Sequence, residues 1–347
     1  MKVLFLQNVL FDYRIAFYNC LVKRGYQLTV LHSGAASTLQ CDFEELVVPV
    51  RKFGPIHLQQ QRPDLDEYDV VIAMFDLYWP ANALLSLVSR QYRLIFWGHG
   101  LGKGKLGNYL RIALANKANA MVVYTDIGRQ AMLKKGMRAE LTYVANNTVE
   151  VSNHQIKTGQ GDSFLYVGRL QSRKRLDLLM HAFAKLMTAV PDKTINLAIV
   201  GDGDIREELE NLAKTLKIDK CTQFYGAVSD NEMLKPIFHR AIAYVSPGHL
   251  GLGLNHALAF GVPIISNGSV THAPEVAVLN VGNSMMITAT EDSDCIEQLT
   301  QKMTTLVTDE SLAVDMSLQS YADYVNYCSM DRMVDGFVAA IESHTTH

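Results

Sequence analysis

Two cations follow one short strand-like run. FLYVGRL leads into QSRKRLDLL, so Arg169 leaves the strand end and Lys174 sits five residues later, near the start of a helix. Fixed positive charge there suits a diphosphate leaving group, because it stabilises charge that grows in the transition state; the alternative is a pair of solvated loop charges. A second feature is AIAYVSPGHLGLGLNHALAFGVPIIS, residues 241–266, where a strand ends in a glycine-containing loop and a helix is predicted to open near Leu252. Unpaired N–H groups at such a start face an anion. With no side chain at Gly248, Gly251 and Gly253, backbone can approach a phosphate closely, although the same glycines would also serve a packing turn.

Other candidates carry less information. In NLAIVGDGDIREELENLAKTL, Gly201 and Gly203 allow a tight strand-to-helix turn, and Asp204 and Glu207 are spaced as N-cap and N3 of a capping box. Asp202-Gly203-Asp204 matches a DxD metal pattern only superficially, since capping and turn roles account for both acids, and the expectation is that no metal is held. The glycine fingerprint GxGxxG is not completed, because Arg206 stands at its last position. In RLIFWGHGLGKGKL, His99 lies at a strand end between Gly98 and Gly100, where a neutral imidazole can donate or accept one hydrogen bond. Lys103, Lys105, Arg111 and Lys117 interleave with Leu106, Tyr109, Leu110, Ile112 and Leu114. That face could touch anionic lipid, or simply be solvated.

Ten short apolar runs alternate with helical patterns: KVLFLQ, QLTVLH, DVVIAMF, RLIFW and AMVVYT, then FLYVGR, NLAIVG, TQFYGA, AIAYVSP and VPIIS. This predicts an α/β protein with parallel sheets covered by helices. Residues 177–188 place Leu178, Leu179, Ala182, Phe183 and Leu186 on one face, as a crossover helix requires. Residues 146–162 are polar and glycine-containing, and read as a linker. The expected domains are 1–150 and 151–324, with an amphipathic C-terminal helix inside 325–347 (Met333, Val334, Phe337, Val338, Ile341) able to pack on either. Ligands of such sheets bind outside the C-terminal strand edges.

The 32 Lys and Arg against 35 Asp and Glu give a net charge of −3 over 347 residues, which disfavours nucleic acid as a partner. Five scattered cysteines without a CxxC pair signal neither a disulfide framework nor a thiolate zinc site, and no apolar run reaches the length of a membrane span. A cytoplasmic location is the expectation.

Taken in order and spacing, VGRLQSRKRLD, VGDGDIREELE, FYGAVSDNEM and SPGHLGLGLNHALAFGVPIIS resemble the donor half of retaining family 4 glycosyltransferases with the GT-B fold, in which two Rossmann-like domains face each other across a cleft. The resemblance covers about 160–290 and implies that Arg169 and Lys174 hold the diphosphate of a UDP- or GDP-sugar. It implies that Gly226, Ala227 and Val228 lie near the base, and that Gly201, Gly248, Gly251, Leu252, Gly253 and His256 complete the donor side. His99 matches the first-domain histidine that the family places by the donor sugar. Where the family commonly carries two glutamates eight positions apart, this chain has Gly248 and His256; His256 keeps a ring nitrogen for a ribose hydroxyl, Gly248 only backbone.

A bacterial polysaccharide branch of the family resembles this chain in its PGxxGL segment followed by His-Ala, and in Tyr-Arg opening the first helix. Arg14 and Asn8 then fall on the acceptor side, Arg14 meeting phosphate or acceptor, or being a surface helix charge. Asn8 and Val9 replace the usual Gly-Gly of the first loop, and Glu275 follows Pro274 where a Pro-Glu pair is frequent. The implied activity is sugar transfer to a glycan or lipid-linked glycan with retention, without metal or resident cofactor, with peripheral membrane contact as a further expectation. The rivals are a non-catalytic nucleotide-sugar binder and a nucleotide-sugar epimerase.

Overall fold

A computed structural model describes residues 1–102, 104–228 and 230–343. The chain forms two compact units, 1–150 together with 330–347, and 151–329.

The first unit holds a seven-stranded parallel sheet. Its strands are β1 (Lys2–Leu6), β2 (Gln27–His32), β3 (Glu44–Val47), β6 (Val70–Met74), β7 (Arg93–Gly98), β8 (Ala120–Val123) and β9 (Thr142–Val144), in the spatial order β3-β2-β1-β6-β7-β8-β9. A separate antiparallel hairpin pairs β4 (Val50–Phe53) with β5 (Ile56–Gln59). The sheet is apolar on both faces because successive side chains point to opposite sides. Val3 and Phe5 join one core cluster, Leu4 and Leu6 the other.

Helix Met330–Glu342 completes the first of these clusters. Phe337 is fully buried, with its ring 4.7 Å from Phe17 and 4.8 Å from Trp97. Gly336 allows the contact, since a Cβ there would lie 2.3 Å from the Val144 carbonyl oxygen. Polar ties fix the helix end: the Tyr26 hydroxyl donates to Glu342 at 2.7 Å, and the Arg93 guanidinium donates to the Ile341 carbonyl. Phe337→Ala should therefore cost about 3–5 kcal/mol in denaturant unfolding; a loss under about 1 kcal/mol would mean that the helix does not anchor this core.

The second unit has the parallel sheet β12-β11-β10-β13-β14-β15, built from β10 (Ser163–Val167), β11 (Asn196–Val200), β12 (Thr222–Gly226), β13 (Ala241–Ser246), β14 (Ile264–Asn267) and β15 (Ser284–Ile287). Helix Leu176–Ala189 buries Leu178, Leu179, Ala182, Phe183 and Leu186. In each sheet the strand order reverses direction once, at β1/β6 and at β10/β13, which is where crevices open beyond the C-terminal strand ends.

One expectation needs correction and one gains detail. Residues 146–162 hold no helix or strand and contain the boundary between the units, as a linker does, yet Thr148, Val149, Val151 and Lys157 are buried, and the Lys157 amine donates to the carbonyls of Ala241 and Ile242 at the start of β13. The Asp204/Glu207 capping box does not form, because the helix begins at Arg206 with Ile205 as its uncapped N-cap. The turn before it is set by the backbone: Leu170 N–H donates to the Asp202 carbonyl at 2.9 Å, and a Cβ at Gly203 would lie 2.2 Å from the Leu170 oxygen. Finally, β3, β9, β15 and the hairpin escape a pattern search because they are short and mostly half-exposed.

Lys157 gives a pH prediction. Burial pushes its amine down to about 8 from the ordinary 10.5, while the unfolded chain keeps the ordinary value. Below pH 8 both states are protonated; between about pH 8 and 10.5 the unfolded state binds more protons, so stability rises with pH. Measured against Lys157→Met, which cancels the buried tyrosines, the wild type should gain up to about 3 kcal/mol across this window. A flat difference between pH 7.5 and 10 would contradict the depressed value.

Candidate active site

Glycines bring four strand ends of the second unit together. A Cβ at Gly201 would lie 1.9 Å from the Gly168 carbonyl oxygen, and one at Gly253 would lie 2.6 Å from that of Val167. Both contacts join the C-terminal end of β10 to the segments that leave β11 and β13. Gly201 N–H also donates to Gly226 at 2.7 Å, tying in the end of β12.

Within this cradle the turn Ser172–Lys174 pairs with the loop after β13. Gly248 N–H donates to Lys174 O and His249 N–H to Arg173 O, both at 3.0 Å. A Cβ on Gly248 would meet the Arg173 oxygen at 2.1 Å, so no side chain fits at this position. The family's glutamate is excluded by packing.

Lys174 is 8% exposed, and its Nζ donates to the His249 carbonyl at 2.6 Å. Burial pushes the amine down to about 8, and Arg173 adds to the drop. Arg169 and Arg173 are both exposed, and Arg173, from the SRKR run, is a further cation whose field bears on Lys174. Arg169 contributes its carbonyl, which accepts from the Tyr166 hydroxyl at 3.0 Å.

Two histidines that carried no sequence signal complete this cluster. His272 accepts Leu250 N–H on Nδ1 at 3.1 Å, and its Nε2 lies 2.7 Å from the Asn267 carbonyl at the end of β14. Because a carbonyl only accepts, Nε2 carries the proton and the ring is neutral. Burial and then Lys174 and Arg173 hold His249 below the ordinary imidazole range. His272 lies 22 residues beyond the loop it pins, so only the fold reveals the pairing.

Helix Gly253–Ala259 opens with Leu252 at its N-cap. His256 within it is engaged internally: its ring is hydrogen-bonded to the Leu252 backbone, its Nε2 lies 3.2 Å from Asn231 Oδ1, and it stacks on Phe238 at 6.0 Å. Burial pushes it down to about 4, so the ring is neutral at pH 7. Gly226, the last residue of β12, takes a positive φ of 74°, Ala227 is exposed and Val228 half-buried. Asp202 uses Oδ1 on Gly203 N–H, and no metal-ligating cluster occurs among the described residues.

In the first unit, His99 is exposed just beyond β7, its ring 4.8 Å from Tyr124. Gly100 has φ 80° and packs where a Cβ would be 2.7 Å from Met132 Sδ, which is why glycine follows the histidine. Arg14 is not a surface charge. It is 6% exposed, lies over Trp97 at 4.2 Å, and donates from Nε to the Tyr13 hydroxyl and from Nη2 to the Tyr124 hydroxyl, each at 3.1 Å. Asn8 closes its own loop by accepting Val9 N–H at 2.8 Å. On helix Lys105–Ala115, Leu106, Tyr109 and Leu110 are exposed, whereas Arg111 turns inward over Phe75, 4.0 Å from Asp76. Lys103 lies outside the described residues. Among those described, no helix is long and apolar enough to cross a membrane, and all five cysteines are free.

Residues 150–323 match the family Glycosyl transferases group 1. An uncharacterized glycosyltransferase of Haemophilus influenzae is 26% identical over 269 residues, covering 72% of this chain and 73% of that protein. The lipopolysaccharide core biosynthesis glycosyltransferase LpsE of Rhizobium meliloti is 23% identical, covering 69% of each. Among solved structures, Anabaena HepE in complex with UDP superposes with a TM-score of 0.70 at 16% identity, over 98% of this chain and 99% of that one.

Proposed function

This chain belongs to the glycosyl transferases group 1 family and is a glycosyltransferase of GT-B fold, and on that footing we propose that it is a retaining, metal-independent enzyme. It moves a sugar from a UDP- or GDP-linked donor to a glycan or lipid-linked glycan acceptor in surface polysaccharide assembly. Its place of action is the cytoplasm, with peripheral membrane contact through the exposed Leu106, Tyr109 and Leu110. The observation that carries the reading is Lys174, a buried amine with no carboxylate partner among the described residues, held by the His249 carbonyl in a glycine cradle at the strand-order reversal of the second unit. The UDP bound by HepE and the lipopolysaccharide role named for LpsE support the substrate classes.

Catalysis on this reading is positioning plus electrostatics. The bond from the anomeric carbon to the diphosphate breaks while the acceptor oxygen bonds on the same face, and the acceptor's proton passes to the departing phosphate oxygen. No carboxylate nucleophile is needed, in contrast to the paired carboxyls of glycoside hydrolases, so Gly248 is compatible with turnover. Lys174 and Arg173 neutralise the leaving group, with Arg169 and the amides around Leu252 beside them. His272 keeps the Gly248–Leu252 loop in place, His99 orients the donor sugar, and Asn8 and Arg14 serve the acceptor.

A thermal-shift series with UDP, GDP and their sugars tests the reading. A ligand that binds only the folded state at 100 times its Kd stabilises by about 2.7 kcal/mol. No shift with any of them would refute the donor site. The engagement of His256 by Leu252 and Asn231 favours one second reading, a nucleotide-sugar binder that does not turn over; it predicts a shift with donor but no nucleotide release with any acceptor.

A further inference from the structure

Arg14 stands where a buried cation is least at home. It is the N-cap of helix Ile15–Lys23, whose N-terminal end already carries partial positive charge, and no side chain caps that end. Its polar neighbours are tyrosine hydroxyls, and no carboxylate forms an ion pair with it among the described residues. Its Nη1 is covered and makes no hydrogen bond. Leaving a guanidinium buried without a counter-charge is strongly unfavourable, and the Trp97 face offsets only part of that.

We propose that this cluster is an anion site for a phosphate carried by the acceptor. Tyr13 is the contact. It is half-buried, and its hydroxyl accepts from Arg14 Nε and therefore keeps its own O–H to donate outward. A phosphate on that O–H gains a donor polarised by the charge behind it, and supplies the anion that Arg14 lacks. Phe11, 47% exposed and stacked on Tyr13 at 5.8 Å and 17°, gives the site an apolar flank. The location lies after β1, at the strand-order reversal of the first sheet, with His99 reached through Tyr124. That the phosphate belongs to the acceptor rests on the donor assignment made above; the anion site itself does not.

The test is calorimetric titration of inorganic pyrophosphate into the full chain, first alone and then saturated with UDP or GDP, whichever binds. Wild type should bind pyrophosphate in both cases. Arg14→Met should weaken this by at least about tenfold, the loss expected for a hydrogen bond to a charged group, while its melting temperature stays level or rises, because an uncompensated buried charge has gone. That opposite movement is what a purely structural arginine would not give. Tyr13→Phe should weaken pyrophosphate without weakening UDP, and decides the matter should Arg14→Met fail to fold. Equal pyrophosphate affinity in wild type and variants, or no binding by wild type, would overturn the proposal. So would a parallel loss of UDP affinity, which would assign the anion to the donor. If neither UDP nor GDP binds while pyrophosphate binding still depends on Arg14, the donor reading fails and the anion site stands.

Discussion

Lys174→Ala should lower turnover by about 10²–10³-fold, the loss seen when one preorganised donor to a developing anion is removed. The amine is the buried charge of the cradle, and it is fixed in direction by the His249 carbonyl. Its depressed value, about 8, adds a pH signature. At pH 7 the amine is mostly charged; as pH rises through 8 it loses its proton unless a diphosphate restores it. Donor affinity should therefore fall above pH 8, and binding at pH 8.5 should take up a proton, visible as a dependence of the calorimetric heat on buffer ionisation enthalpy. Lys174→Arg, charged throughout this range, should abolish the alkaline limb. Turnover by Lys174→Ala within a few fold of wild type at saturating donor would remove the residue from the mechanism.

Gly248→Glu is the second large effect, and its direction is opposite to what family likeness suggests. Restoring the carboxylate common at this position should destroy donor binding. The new Cβ would have to sit 2.1 Å from the Arg173 oxygen and 2.7 Å from the Lys174 carbonyl carbon. Both are backbone atoms with no rotamer to yield, so the turn carrying Lys174 and the loop carrying His249 must separate. The two backbone hydrogen bonds between them break, and overpacking of this kind costs about 1–3 kcal/mol. Gly248→Ala meets the same atoms and should show most of the stability loss in thermal unfolding. A Gly248→Glu protein with unchanged melting temperature and faster turnover would show that the cradle opens freely.

The sequence alone determined the sheet type and the motif order. Continuous apolar runs such as VVIAM and AIAYVS can be buried on both faces only in helix-covered parallel sheets, and four ordered segments marked the half that matches the family. It also placed the turn carrying Lys174, the loop at 248–253 and the helix after it. These are local properties, written in neighbouring residues.

Which cation of the SRKR run is buried, why Gly248 is glycine, and what His272 and Tyr124 touch were decided by tertiary packing. SRKR supplies three adjacent cations, and only the fold leaves Arg173 exposed, pairs Arg175 with Asp177 and Asp292, and buries Lys174. Gly248 reads as a missing carboxylate until the Arg173 carbonyl is seen against it. Arg14 was equally readable as a solvated helix charge, because its burial depends on Trp97 and Tyr124, both remote from it in sequence. Electrostatic energy depends on the distance and dielectric around a charge, and both are fixed by residues far away along the chain.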